Sequence, residues 1–468
     1  MKKNFIILIT FCVCFNQEII TEFLVVEHDT IDVFSYQIPD GYNDETSRPL
    51  LIVFHQWGGD ENSTYYTTFD EEANTRGWFF MSPFGGSNNN YNHQGAQEMV
   101  KNEIIWMADN YNIDTRRIYM VGGSMGGAAG MIYSNNHLDP TEPMVAATAS
   151  GSGILDCERR AIEMDGNNSM TEWFGGNWDE VPFQYHRNSA IYFNDFTQSM
   201  HFNLKYLPIY LDFGISEPHR IHAEEMYEIL LEYNDNMWID AEPTGSHGFS
   251  VMDEEHTCDW LSQFELIDGP NFVHVNLDEP SRAYYLEALN QTDSLEFINI
   301  NSEKISNTLN IHNFSNSDTL VLHILENNSE YFYLNLDVEI NRLGITGSAL
   351  YNFNGGSTIA NFEGIGIDTE IPLFAHVTDN ILWLEYSVGD FEYPLPSGSY
   401  EINIQVNFLD GDVNQDGSQN VQDIILMINY IIGTNDLYES QIQIADLNND
   451  GGVDVMDIIL LVNIIINP

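Results

Sequence analysis

The 468-residue sequence predicts three folded parts: an α/β domain with a mostly parallel sheet over 23–268, an all-β module over 270–408, and a small α-helical unit of two loop-helix repeats over 411–468. Three changes of pattern carry that division. Apolar runs of strand length alternate with helix-periodic stretches up to about residue 268, short alternating runs follow, and the end of the chain repeats itself. A formal net charge of −56 with 13% aromatic residues describes a folded acidic protein and excludes nucleic acid as a partner, because phosphate binding needs clustered Lys and Arg. Arg342 is the last Lys or Arg in the sequence.

Ahead of the α/β domain, Lys2 and Lys3 precede an apolar run from Phe5 to Phe15 that is too short to span a bilayer. Its layout is that of a secretory signal, so residues 1–20 are expected to direct export, leaving a secreted, extracellular protein with no transmembrane segment. Cys157 and Cys258 then remain in the mature chain. A bridge between them would close a long loop and contribute about 2–4 kcal/mol; two buried free thiols are the alternative.

Within the α/β domain, Leu50 to Phe54 and Trp78 to Met81 read as buried strands, and Val100, Ile104, Met107 and Tyr111 share one helical face. The strand Arg117 to Val121 runs into Gly122-Gly123-Ser124-Met125-Gly126-Gly127, a G-x-S-x-G turn before a helix of small residues. A nucleophile on a strained strand-to-helix turn needs glycine on both sides, because a Cβ there collides with neighbouring backbone. Ser124 is therefore the candidate nucleophile. The Met125 N–H, at the start of the helix, is one candidate oxyanion donor. The second is expected from the loop after Phe54, His55-Gln56-Trp57-Gly58-Gly59, where the Trp57 N–H is chosen and Gln56 joins the oxyanion and substrate-binding set. The base should follow the nucleophile, and His247 in Gly245-Ser246-His247-Gly248-Phe249 lies just past the strand Met237 to Ala241. Glu217, in Gly214-Ile215-Ser216-Glu217 beyond the strand Leu207 to Phe213, is the candidate acid, with Asp212 inside the strand as its rival. His219 and His222 are expected to line the entrance.

This set resembles the secreted α/β-hydrolase esterases of the polyhydroxybutyrate depolymerase and feruloyl esterase kind, overlapping prolyl-oligopeptidase-like hydrolases, from about Tyr36 to Phe264. Tyr111-Asn112-Ile113-Asp114 through Tyr119, the Ser124 turn, and Glu172-Trp173-Phe174-Gly175-Gly176 carry the likeness. Ser124 to Gly127 with Trp57 is also similar to polyester-cleaving cutinases. The resemblance implies a serine carboxylic-ester hydrolase acting on polysaccharide-linked acetyl or feruloyl esters or on polyesters, with no cofactor for the chemistry. A prolyl-oligopeptidase-like peptidase and a non-catalytic adhesion protein of the same fold are the competing readings. Between Cys157 and Asn203, Trp173, Trp178, Tyr185 and Tyr192 fall where such folds insert a cap, and serve either packing or ring binding.

The middle module shows short alternating runs, Thr308 to His312, Thr319 to His323 and Tyr400 to Gln405, separated by Asn, Ser, Asp and Gly. One Ig-like β-sandwich serving as a spacer is expected, with Tyr351, Phe353 and Trp383 as candidate carbohydrate platforms.

In the last unit, Asp412, Asn414, Asp416, Asn420 and Asp423 recur as Asp446, Asn448, Asp450, Asp454 and Asp457. Oxygen side chains at loop positions 1, 3, 5, 9 and 12 converge on one cation when glycine stands at position 6, as Gly417 and Gly451 do. Each loop leads into the same apolar phrase, Asp423-Ile424-Ile425-Leu426 and Asp457-Ile458-Ile459-Leu460. The unit resembles a type I dockerin, which implies two structural Ca2+ ions and a cohesin-type protein partner. Val421, Gln422, Val455 and Met456 stand where the family usually presents small hydroxyl residues, leaving the partner's identity open.

Overall fold

The computed structural model describes residues 18–26, 29–165, 169–324, 331–347, 360–366, 372–379, 381–388, 391–406, 410–414, 418–435, 437 and 439–466. The expected signal segment falls largely outside them. The chain divides into two compact units, one of residues 1–135 and 143–267, the other of 136–142 and 268–468.

The first unit is built on a mixed sheet whose described strands are β1 (Ile20–Val26), β2 (Asp29–Gln37), β3 (Arg48–Phe54), β4 (Phe79–Pro83), β5 (Ile113–Gly123), β6 (Ala147–Gly151), β7 (Ile209–Gly214) and β8 (Met237–Glu242). They lie in the order β1-β2-β4-β3-β5-β6-β7-β8. The pairs β1·β2 and β2·β4 are antiparallel, and every pair from β4 to β8 is parallel. Parallel strands are covered on both faces, so they read as continuous apolar runs. In β3, Leu50, Ile52 and Phe54 join one core cluster, whereas Leu51 and Val53 join the other, as a period of two requires. Helices Gln94–Asn110 and Arg220–Leu230 cover the first face with Val100, Ile104, Met107, Met226 and Leu230. Helices Phe69–Arg76 and Glu254–Leu261 cover the second with Phe69, Ala73, Trp260 and Leu261. Each such side chain stabilises the fold by about 1.5–3 kcal/mol when fully buried, so truncating Met107 or Leu211 to alanine is among the most damaging changes outside the site. Tyr111 ends its helix as an extended residue rather than continuing it.

Cys157 and Cys258 are both free and buried, so they form no bridge. Burial pushes each thiol up to about 12, and the Cys157 Sγ donates to the Asn188 carbonyl at 3.1 Å.

In the second unit, thirteen strands among the described residues belong to one hydrogen-bonded sheet. Strands 298–305, 308–315, 319–323 and 398–406 contain the alternating runs read from the sequence. Ile298, Ile300, Leu309 and Ile311 are buried, while Asn299, Asn301, Asn310 and His312 point to the other side. Most neighbours are antiparallel, but Thr308–Ser315 with Tyr331–Leu336, and Thr319–His323 with Arg342–Thr346, run parallel. Trp383 is only 6% exposed, and the Arg342 guanidinium lies 4.1 Å from its ring centroid. It is therefore packed, not displayed as a platform; Tyr351 and Phe353 lie outside the described residues.

The end of this unit holds helices Val421–Ile431, Glu439–Ala445 and Val455–Ile466 around Val413, Met427, Leu437, Ala445 and Leu461. Asn420 caps the first helix by accepting from the Gln422 N–H at 2.7 Å, and Asp423 reaches back to the Asn420 N–H at 2.8 Å. The repeat does the same with Asp454 and Asp457, at 2.6 and 2.8 Å.

Candidate active site

β5 ends at Gly123, and Ser124 follows with φ +56, the left-handed region that side-chain-bearing residues avoid. The turn is that tight because the backbone crowds around it. A Cβ on Gly122 would stand 2.2 Å from the Gly126 carbonyl oxygen, and one on Gly126 would stand 2.6 Å from the carbonyls of Phe54 and His55. The Ser124 N–H donates to the Gly151 carbonyl at 2.8 Å and its own carbonyl accepts from Gly127 and Ile154, which pins the turn between β5 and β6.

The loops after β7 and β8 deliver the other two groups. His247 Nε2 lies 2.8 Å from the Ser124 hydroxyl, and His247 Nδ1 lies 2.6 Å from a Glu217 carboxylate oxygen. The second Glu217 oxygen accepts from the Gly214 N–H at 2.9 Å and from the Ser152 hydroxyl. Burial works to raise the Glu217 carboxyl, but the hydrogen bonds from His247, Ser152 and Gly214 outweigh it and hold the group below its ordinary value. Asp212, the rival acid, is buried inside β7 with one carboxylate oxygen lacking a partner among the described residues. Burial and then the charge of Asp240 push it up to about 7.

Of the two amides chosen as oxyanion donors, Met125 follows the serine directly and Trp57 lies in the loop after β3. The Trp57 and Met125 N–H groups have no acceptor among the described residues. Met125 is held from behind: its carbonyl accepts from the Asn92 side chain at 2.9 Å and its sulfur receives the Tyr91 N–H at 3.3 Å. Trp57 is 59% exposed, with its indole N–H on the Ser169 hydroxyl at 3.3 Å. Gln56, expected in the oxyanion and substrate-binding set, lies against the serine turn, where a Cβ on Gly123 would stand 2.9 Å from its Oε1. Its Oε1 accepts from the Phe249 N–H at 3.0 Å, tying the donor loop to the loop that carries His247.

His219 sits beside the base, with ring centroids 5.5 Å apart. His222 does not line the entrance; it is fully buried, and its Nδ1 accepts from the Leu155 N–H at 3.2 Å. In the cap, Tyr185 is buried against Phe174, whereas Trp173 stacks on His93 at 4.6 Å. Sequence reading missed Ser152, which lies in a small-residue stretch, Ser150 to Gly153, that carries no spacing signal.

The second candidate site is the pair of acidic loops. Asp423 accepts from the Asn414 and Asn420 N–H groups at 2.9 and 2.8 Å, and Asp457 accepts from Asn448 and Asp454 at 3.1 and 2.8 Å. Both carboxylates are fully buried. Asp446 receives the Asp450 and Gly451 N–H groups at 3.1 and 2.9 Å, around a Gly451 with φ +93. Asp412 is buried in the first loop, and Asp416 lies outside the described residues. Among the described residues no three His, Cys, Asp or Glu side chains converge as a metal cluster. The donor set still fits a hard divalent cation. It is all oxygen, three of its carboxylates, Asp412, Asp423 and Asp457, are buried, and the sequence after Arg342 carries no Lys or Arg.

Comparison with known proteins bears on both sites. Over 111 residues the chain is 32% identical to the bifunctional acetylxylan esterase/xylanase XynS20E of Neocallimastix patriciarum, a match covering 22% of this chain and 16% of that protein. Among solved structures, a ferulic acid esterase is 15% identical with a TM-score of 0.39, over 53% of this chain and 96% of that one. The fluorophosphonate-binding serine hydrolase FphF of Staphylococcus aureus is 13% identical with a TM-score of 0.39, over 52% and 98%. No helix among the described residues is long and apolar enough to cross a membrane. Residues 410–466 match the model for the Dockerin type I domain, so the duplicated loops and their exit helices are a type I dockerin.

Proposed function

We propose that this protein is a secreted serine carboxylic-ester hydrolase for polysaccharide-linked esters, tethered by its dockerin to a cohesin-type partner. The observation that carries the reading is the unbroken run of contacts from Ser124 through His247 to Glu217, at 2.8 and 2.6 Å; the Trp57 and Met125 amides, with no acceptor among the described residues, are the donors this reading assigns to the oxyanion. The acetylxylan esterase relative favours an acetyl or similarly small acyl group on a plant polysaccharide; polyesters are the second substrate class.

In this reading, His247 Nε2 takes the Ser124 proton as the oxygen attacks the ester carbonyl. The Trp57 and Met125 amides receive the negative charge that develops on the carbonyl oxygen, where fixed donors are worth most. Glu217 fixes the imidazole tautomer through Nδ1 and stabilises the imidazolium without taking its proton. His247 then protonates the departing alcohol. A water molecule repeats the sequence on the acyl-enzyme and releases the acid. Water is the co-reactant of these steps, and the reading routes none of them through a cofactor.

The modules 23–268, 270–408 and 411–468 divide the work as catalyst, spacer and tether. Inward-facing Ile298, Ile300, Leu309 and Ile311 support an Ig-like sandwich for the middle module, and its two parallel pairs are a departure from that pattern. Calcium bound by the two loops would neutralise Asp423 and Asp457 and fold the dockerin; it has no part in ester cleavage.

Hydrolysis of p-nitrophenyl acetate and of acetylated xylan, with a proline-containing peptide as control, tests the reading. Ser124→Ala should lower ester turnover at least about a thousandfold while the protein stays folded. Ester turnover that survives in Ser124→Ala, or proline-peptide cleavage without ester cleavage, would sink it.

A further inference from the structure

We propose that Ser152 is a positioning residue for this reaction: its hydroxyl and the Gly214 amide together anchor one oxygen of the Glu217 carboxylate, so that the other is presented to His247. The proposal rests on the hydrolase reading of the site and adds a fourth side chain to it.

A glutamate acid carries one more rotatable bond than an aspartate, and that freedom must be removed if the carboxylate is to hold the imidazole. Glu217 Oε1 is held on two sides, by the Ser152 hydroxyl and by the Gly214 N–H at 2.9 Å, while Oε2 faces His247 Nδ1 at 2.6 Å. Ser152 is only 2% exposed and Glu217 only 7%, so water is a poor substitute for the hydroxyl. The backbone at Ser152 is itself informative. Its φ is +53, a conformation that glycine adopts freely and serine does not. Glycine stands on either side, at Gly151 and Gly153, yet this position bears a side chain. The Ser152 N–H donates to the Asp212 carbonyl at 2.7 Å, which locks the strained residue between β6 and β7 and turns its hydroxyl toward Glu217. The strain is retained where a Cβ is required to carry the hydroxyl.

The experiment compares Ser152→Ala and Ser152→Gly with the unaltered protein, using p-nitrophenyl acetate across pH. Glycine relieves the left-handed backbone, so a fall in activity of Ser152→Gly with an unchanged melting temperature is not a folding defect. Both variants should lose about tenfold in kcat, the effect of one hydrogen bond to a charged group, with KM within about twofold. The acid limb of the kcat/KM profile should move to lower pH, because an imidazole with a less well-held carboxylate partner is a weaker base. In a Glu217→Gln background, Ser152→Gly should change kcat no further, since the hydroxyl acts through Glu217. Wild-type kcat and an unmoved acid limb in Ser152→Gly, or an equal loss in both backgrounds, would overturn the role of Ser152. Activity persisting in Ser124→Ala would instead overturn the hydrolase reading beneath it, and the two failures are thereby told apart.

Discussion

Ser124 and His247 touch although 123 residues separate them, whereas both amides that hold Asp457 lie within nine residues of it. The proposed catalytic constellation is made by topology, with β5, β7 and β8 presenting their C-terminal loops at the same end of the parallel sheet and β6 between β5 and β7. The dockerin loops are made locally, by a twelve-position pattern and its copy. A site built by topology holds its geometry as long as the sheet is folded. A site built from a local loop of like charges holds only while a cation offsets them. The two should therefore respond to opposite perturbations.

The largest effect is expected from the acid of the topological site. Glu217→Gln keeps the shape and removes the charge that stabilises the imidazolium, and should lower kcat by about a hundredfold or more, read in a steady-state ester assay. Asp212→Asn should leave kcat within about twofold. The reverse outcome would transfer the role of the acid to Asp212 and break the comparison at its first term.

Calcium removal tests the other half. Chelation should unfold the segment 411–468, seen as lost helical circular dichroism and early proteolytic cleavage there, while ester turnover remains nearly intact. Loss of turnover in step with chelation would show that the two sites are not independent.

A smaller effect sharpens the contrast through pH. The buried Asp212 carboxyl sits at about 7, above its unfolded value of about 3.9. The folded protein therefore keeps a proton that the unfolded chain releases between those values, and stability falls as pH rises through the window. Asp212→Asn should flatten that dependence and raise stability at pH 8 by about 1–2 kcal/mol, measured by urea denaturation at several pH values. Glu217 has the opposite sign. Held below its ordinary value, it contributes stability that is present above the unfolded pKa and lost as pH falls through the folded one.

The smallest effect is expected from Gln56. Gln56→Ala removes the acceptor for the Phe249 N–H and should cost about 1 kcal/mol of stability with a few-fold loss of kcat. Unchanged thermal stability would show that the loop of His247 is held by its other contacts.

The same contrast explains what could be read from the sequence. The elbow was legible because steric crowding allows only glycine at Gly122 and Gly126, and the dockerin was legible because its ligand spacing is local and occurs twice. The strands β3, β4 and β7 and the second half of β5 were legible because burial on both faces leaves apolar runs, whereas β8 has no fully buried residue and was read from its position before His247. Partnerships made across the sheet were not. Nothing in the order of residues says that Ser152 meets Glu217, that Gln56 meets Phe249, or that His222 turns inward to the Leu155 amide. Nor does an isolated cysteine pair reveal whether its two thiols face each other, and Cys157 and Cys258 are free.

The central claim is that Ser124 is a nucleophile activated by His247. Reaction with a fluorophosphonate, followed by intact mass and peptide mapping, measures it most directly. The account requires a single adduct on Ser124 in the unaltered protein, with labelling of His247→Gln slowed by at least about a hundredfold. An unlabelled Ser124 in folded protein, or equal labelling rates with and without His247, would contradict it.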